Sequence, residues 1–306
     1  MGVIDRIKAL CRNFLWEGGE GYSKAPLVAW STLFKGKEYG GLGLIYTKLW
    51  NVAAVGKIVW WIAKKKDHLW IQWVDKIYMK HVSWRDYKPT YASSWAWRKI
   101  CEVKETFKMA LNQGKWMAAT EDYTISAGYD WLTQHNSLKV PWDKSVCNRF
   151  NIPKHSFILW LIYHGRLLTL DRLVKMGITQ QLSCFLCGTN DETHYHLFHD
   201  CCYTKLCLTQ LSTWLNIQLP GQITTASILK MKRFTRFPRL VISSLVAAVH
   251  CQVWYARNTC RHEGYVSCPV ALISKVKTEC RFRLLGLDTG TLKREDIDWC
   301  KQRELM

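Results

Sequence analysis

The feature that most constrains this chain is a cysteine–histidine run in its second half. Cys184-Phe185-Leu186-Cys187-Gly188 is followed by His196 and Cys201, with eight residues between Cys187 and His196 and four between His196 and Cys201. Two cysteines separated by two residues let the backbone turn tightly and aim both sulfurs at one ion, and Gly188 relieves the backbone just past the second. A histidine and a cysteine on the next segment complete a tetrahedral set for Zn2+. Four protein donors leave no position for water, so the expected metal is structural and not hydrolytic. Its binding couples to folding, on the order of 10–16 kcal/mol in small zinc modules. His194, His199 and Cys202 stand close enough to replace a ligand. His196 is preferred because Leu197-Phe198 beside it can pack inward and pin the ring.

The other cysteines agree with this reading. There are 13 Cys in all, and Met1-Gly2-Val3-Ile4-Asp5-Arg6 runs straight into an amphipathic pattern with no signal-type apolar core. Reduced thiols in an intracellular protein, nuclear or cytoplasmic and not secreted, are expected instead of a disulfide framework. The most apolar stretch, residues 240–254, is interrupted by Ser243, Ser244, His250 and Gln252 and is too short to span a bilayer, so no membrane partner is expected.

Charge points to a polyanion, most simply RNA or DNA, with an anionic membrane surface as the rival reading. The net charge is +19. Residues 1–100 hold 17 Lys+Arg against 7 Asp+Glu, residues 220–306 hold 15 against 7, and residues 101–219 hold 11 against 10. The footprint therefore belongs to the flanks and not to the zinc module. Lys230-Met231-Lys232-Arg233-Phe234-Thr235-Arg236-Phe237-Pro238-Arg239 is the better candidate, because it interleaves cations for phosphates with rings for bases. The same run can serve as a nuclear localisation patch. Lys64-Lys65-Lys66 is a second candidate, for which a solvated helix end is an equal explanation.

Apolar spacing predicts a mainly α fold. Helices are expected over 3–16, over 48–80 with a break near Asp67-His68, over 153–163, from Thr169 to Gly177, and over about 204–216, 239–262, 268–286 and 292–304. The stretch 84–151 reads as mixed, with a short β-hairpin near 116–125. Gly18-Gly19-Glu20-Gly21 and Gly40-Gly41-Leu42-Gly43 are loops, and the second lacks the spacing of a nucleotide cradle. Trp60, Trp61, Trp70, Trp73, Trp95 and Trp97 fall on helical stripes and are expected in the core, as are His155, His164 and His250. The expected division is a Trp-rich helical segment 1–110, a zinc-binding domain 111–218 and a basic helical segment 219–306.

Residues 153–202 carry Pro153-Lys-His-Ser-Phe-Ile-Leu-Trp160, Arg166-Leu167, Thr169-Leu-Asp-Arg-Leu173, the Cys184/Cys187 pair, Glu192-Thr193, His196-Leu-Phe198 and Cys201. This pattern resembles the zinc-binding domain downstream of the polymerase in plant non-LTR (LINE-type) retrotransposon reverse transcriptases. Phe14-Leu15-Trp16, Val28-Ala29-Trp30, Leu49-Trp50-Asn51 and Leu69-Trp70 look like the preceding linker, and Trp254-Tyr255-Ala256-Arg257-Asn258 is similar to the helix that trails the module. One departure is Val146-Cys147, where the family usually has Val-Trp, so an aromatic core position is packed differently. The chain has no Asp-Asp dipeptide for paired metal ions and no ribonuclease H carboxylate cluster.

The resemblance implies a detached C-terminal portion of such a polyprotein, with no catalytic residues and no polymerase activity of its own. The leading expectation is a non-catalytic, zinc-stabilised nucleic-acid-binding module. The alternatives are a protein-interaction module that docks onto a reverse transcriptase through its Trp-rich surface, or a decayed fragment without independent activity.

Overall fold

The structure, a computed structural model, describes residues 2–17, 26–80, 82–117, 121–133, 138–220, 224–286 and 292–306. Backbone contacts divide the chain into two compact units. The first comprises residues 1–24, 30–36 and 41–138; the second comprises 25–29, 37–40 and 139–306. The division expected at 110/111 and 218/219 is thus drawn differently by the contacts, because the zinc segment and the C-terminal helices share one core.

The first unit carries α1 (Val3–Glu17), α2 (Trp30–Leu33), α3 (Thr47–Ala63), α4 (Leu69–Val74), α5 (Trp95–Asn112) and α6 (Ile125–Thr133). Helices α3, α5 and α6 pack together. Gly56 allows that approach: a Cβ there would meet Phe107 Cε2 and the Tyr123 hydroxyl at 2.6 Å. Aromatic rings fill the core with their polar ends satisfied. Trp60 Nε1 donates to the Trp116 carbonyl (2.8 Å), Trp97 Nε1 to the Tyr87 hydroxyl (3.1 Å), and the Tyr123 hydroxyl to the Ala53 carbonyl (2.7 Å).

Two expectations are corrected in this unit. Trp60 and Trp97 are buried, but Trp70, Trp73 and Trp95 are exposed. The short α4 turns only Ile71 and Val74 inward, so its tryptophans face out. Residues 84–151 are more helical than expected, since α5 runs eighteen residues from a side-chain cap in which Ser94 accepts from the Trp97 amide (3.2 Å). The hairpin near 116–125 is not formed by the described residues: 116–117 lie in a turn and 121–124 are irregular, while 118–120 fall outside the described residues. The loop 18–21 also falls outside them.

The second unit carries α7 (Asp143–Val146), α8 (Pro153–Tyr163), α9 (Leu170–Lys175), α10 (Cys202–Leu215), α11 (Thr225–Leu229), α12 (Arg236–Glu263), α13 (Pro269–Leu285) and α14 (Arg294–Lys301). Proline at the first position opens α8 and α13, where its missing N–H costs nothing. The core is α12, buried almost all round from Val241 to Trp254 and flanked by α8, α11 and α13. It is long and apolar enough to cross a membrane, yet 83% of its most apolar window is buried inside the protein, as befits a core helix. Near α8, the Gly40 carbonyl accepts from Trp160 Nε1 (2.9 Å) and bonds His164 Nε2 (2.8 Å), which gives the Gly40 turn an anchoring role beyond a plain loop. Among the described residues the one β pairing is an isolated antiparallel bridge, Ser183 with Asp191. The chain is mainly α.

Candidate metal centre

That bridge frames the first half of the site. The Cys184 amide donates to the Asn190 carbonyl (2.8 Å) and the Gly188 amide to the Cys184 carbonyl (2.8 Å), closing a tight knuckle. Gly188 sits at φ +69°, the left-handed conformation that glycine adopts without strain. The second half is a single wide turn, His196–Asp200, closed by the Cys201 amide donating to the His196 carbonyl (2.7 Å). On a regular helix, residues five apart lie about 140° round the axis; the π turn brings His196 and Cys201 back to one side. Thr193 Oγ1 accepts from the His196 amide (3.0 Å) and starts the turn, while Leu197 and Phe198 are fully buried beneath it.

The donor atoms of Cys184, Cys187, His196 and Cys201 all lie within 4.8 Å of one another. Cys184 Sγ is 4.0 Å from Cys201 Sγ, and Cys187 Sγ is 3.3 Å from His196 Nε2. A tetrahedral zinc with ordinary bond lengths places sulfurs about 3.8 Å apart and sulfur and nitrogen about 3.5 Å apart, so the residues fit the ion. The electrostatics fit as well. The Cys184 contact holds the Cys201 thiol below the usual range, against burial. The same contact, with burial, raises Cys184. Cys187 is lowered despite burial, by Thr189 and neighbouring amides. His196 is raised although burial opposes it, because the sulfurs of Cys187 and Cys184 face its ring. Such a cluster gathers negative charge that a cation neutralises.

The three alternative ligands stand elsewhere. His194 packs on Phe198 (ring centroids 5.2 Å), His199 lies by Tyr195 and His250, and Cys202 is exposed at the start of α10.

What sequence reasoning missed is how the knuckle is locked to α12. Arg257 and Glu192 are both fully buried, and Arg257 Nε and Nη2 donate to the Glu192 carboxylate at 2.9 and 2.6 Å. Glu192 Oε1 also accepts from the Leu170 amide (3.0 Å), so it supplies the start of α9 with an acceptor that the Thr169 hydroxyl, bonded to Asp171, does not provide. The guanidinium lies 5.5 Å from the ring of Phe185, between the first two ligands. Both residues stood in the motifs read from the sequence; only the sixty-five-residue separation concealed the pair.

Of the core histidines, His164 bonds Gly40, and His155 bonds Glu279 through Nε2 (3.0 Å) while its buried Nδ1 has no hydrogen-bond partner among the described residues. His250 differs: it is wholly buried, and among the described residues its ring nitrogens have only a contact with the Phe198 backbone that falls short of good hydrogen-bond geometry.

The basic candidates are scattered. Lys64 donates to the Met117 carbonyl (2.6 Å) and Lys66 lies 3.7 Å from Asp122, both at the C-terminal end of α3; Lys65 is exposed. Lys230 caps α11, and Lys232 is exposed. Arg233 bonds the Gln218 carbonyl and lies over Phe234, and Arg239 donates to the carbonyls of Thr235 and Leu229. Phe237 is a correction: it is buried edge-on against Phe150 and offers no face to a base. Cys147, which stands where the family usually has a tryptophan, is exposed.

Comparison with known proteins agrees with the site. Residues 123–207 match the family described as zinc-binding in reverse transcriptase. A protein of Arabidopsis thaliana that carries a ribonuclease H name is 31% identical over 97 residues, which is 30% of this chain and 16% of that protein. The chain thus matches only a small part of this relative's length. No solved structure matches the chain. With the four donors inside the matched stretch, the chain contains, over residues 123–207, a zinc-binding domain of the reverse-transcriptase-associated family.

Proposed function

We propose that the chain is a zinc-clasped nucleic-acid-binding module of a LINE-type reverse transcriptase polyprotein, with no chemistry at the metal. The carrying observation is the closed Cys3His set, whose four protein donors leave no site for a substrate or an activated water. Zinc, when bound, supplies cross-linking. Cys184 and Cys187 hold one side, His196 and Cys201 the other, and Glu192 ties the knuckle to α12. A net charge of +19 supplies the attraction for RNA or DNA. All thirteen cysteines are free thiols, which suits a reducing intracellular compartment.

Titration of the zinc-loaded chain with labelled RNA and DNA across a salt series tests the reading. Affinity should fall steeply and linearly on a log–log plot; affinity indifferent to salt overturns it. One observation favours docking on a protein instead: Leu69, Trp70, Trp73 and Ile77 are all exposed around α4. Salt-independent capture of a reverse transcriptase, with no RNA affinity, would favour that second reading.

A further inference from the structure

A cleft of about 1080 Å3 opens in the second unit, away from the metal ligands. Six cations line it: Lys37, Lys144, Arg149, Arg236, Arg239 and Lys293. They come from five places in the sequence and from both ends of the unit; the basic run 230–239 supplies Arg236 and Arg239, and the other four lie outside it. Asp143, Glu295 and Asp296 also line it, leaving a net +3. Among the described residues none of the six cations is in an ion pair.

Arg239 donates to the Thr235 and Leu229 carbonyls and Arg149 lies over the Phe150 ring, but the remaining four cations have no such role among the described residues. Arg236 and Arg239 occupy the first turn of α12, which has no acidic residue and no side-chain cap. Cations there oppose the helix dipole and cost stability. Lys37, Lys144, Arg149, Arg236 and Lys293 are exposed. The volume lies at the upper end of what encloses one small ligand, and the charges spread over several walls instead of converging on one point. That distribution suits a chain of phosphates.

We infer that this cleft is a groove for the phosphodiester backbone of a single nucleic-acid strand. The inference rests on the nucleic-acid reading above and locates its binding surface. Single strands are favoured over duplex because a concave groove tracks one backbone. Recognition would be indifferent to base, since Phe237, although it lines the cleft, is buried edge-on against Phe150, and Phe234 lies outside the lining residues.

Cys147 lines the cleft and is exposed, whereas Cys11 and Cys268 are exposed elsewhere. The test uses the zinc-loaded full chain with fluorescent single-stranded uridine and thymidine oligomers and a duplex. Lys37→Gln/Lys144→Gln/Arg236→Gln/Lys293→Gln is compared with a control of equal charge loss, Arg166→Gln/Lys175→Gln/Lys275→Gln/Lys301→Gln. Should the first variant fail to fold, Arg236→Gln/Lys293→Gln takes its place.

The cleft variant should bind roughly tenfold or more weakly, and its salt slope should fall by about 0.7 for each phosphate that is no longer neutralised. The control should stay near wild type. Alkylation of Cys147, followed by mass spectrometry, should be suppressed by either single strand, with Cys11 and Cys268 unchanged. Tight wild-type binding with Cys147 unprotected and the two variants alike overturns the cleft while leaving the nucleic-acid reading intact. Stronger binding of duplex overturns the single-strand assignment. No binding by wild type at low salt overturns both.

Discussion

Arg257 shows how much of this architecture turns on single side chains. Its guanidinium and the Glu192 carboxylate are out of water together, so neither can lose its partner cheaply. Arg257→Met should cost about 3–5 kcal/mol in denaturant unfolding of the zinc-loaded protein, because a buried carboxylate is left unpaired. Glu192→Gln added to it should recover most of that loss, since the amide oxygen still accepts from the Leu170 amide. A double variant no more stable than the single one would show that charge is not the reason.

His250 presents the opposite case. Burial, with His199 and then His194 nearby, pushes it down to about 3, so it is neutral in the fold while the unfolded chain takes up a proton near pH 6.5. Its contribution is intact above pH 6.5 and is lost as pH falls towards 3, at no more than about 1.4 kcal/mol per pH unit. His250→Leu should leave stability at pH 7 equal or higher, because two poorly partnered nitrogens leave the core, and it should flatten the acid limb of a stability–pH curve. An unchanged limb would place the proton uptake elsewhere.

At the scale of elements, the metal decides the zinc segment. Removing it with a chelator should release the His196–Asp200 turn and the start of α10, with loss of amide protection there, while α5 in the other unit keeps its own. Equal loss in both units would refute a local clasp. Those same elements were the most legible part of the sequence. The two-residue cysteine spacing, the opening of α8 at Pro153, and the break between α3 and α4 follow from local chemistry, and the structure has them. Helix α5 was obscured by the breakers around it, Pro89, Ser93-Ser94 and Gly114, and by one residue within it. Lys104 takes a core-facing position in the stripe Trp97, Ile100, Cys101, Phe107, and it is buried by donating to the Tyr87 carbonyl (2.6 Å) and lying over Trp84 (5.1 Å). A lysine there reads as solvent, and the helical period is lost.

For the whole molecule, charge counted along the chain points to the flanks, and these supply four of the six cleft cations, Lys37, Arg236, Arg239 and Lys293. Residues 101–219 are nearly neutral in sum, yet Lys144 and Arg149 come from that stretch and meet Lys37 and Lys293 only after folding. Summed charge tells that a polyanion is attracted; where it is attracted depends on long-range packing that no window of sequence contains. The ring positions failed for the same reason, since Trp70 and Phe237 differ in exposure through the helices they sit on and not through their neighbours in sequence.

The buried Glu192–Arg257 pair also bears on where the module ends. The family match ends at residue 207, but the countercharge that Glu192 requires stands on α12, well past that point. The unit that can be copied by its sequence signature and the unit that can fold are therefore different lengths of chain. A fragment that keeps the four metal ligands but lacks α12 leaves the Glu192 carboxylate without its cation. An expression boundary drawn at the end of the family match should therefore give a less stable zinc module than one drawn after α12.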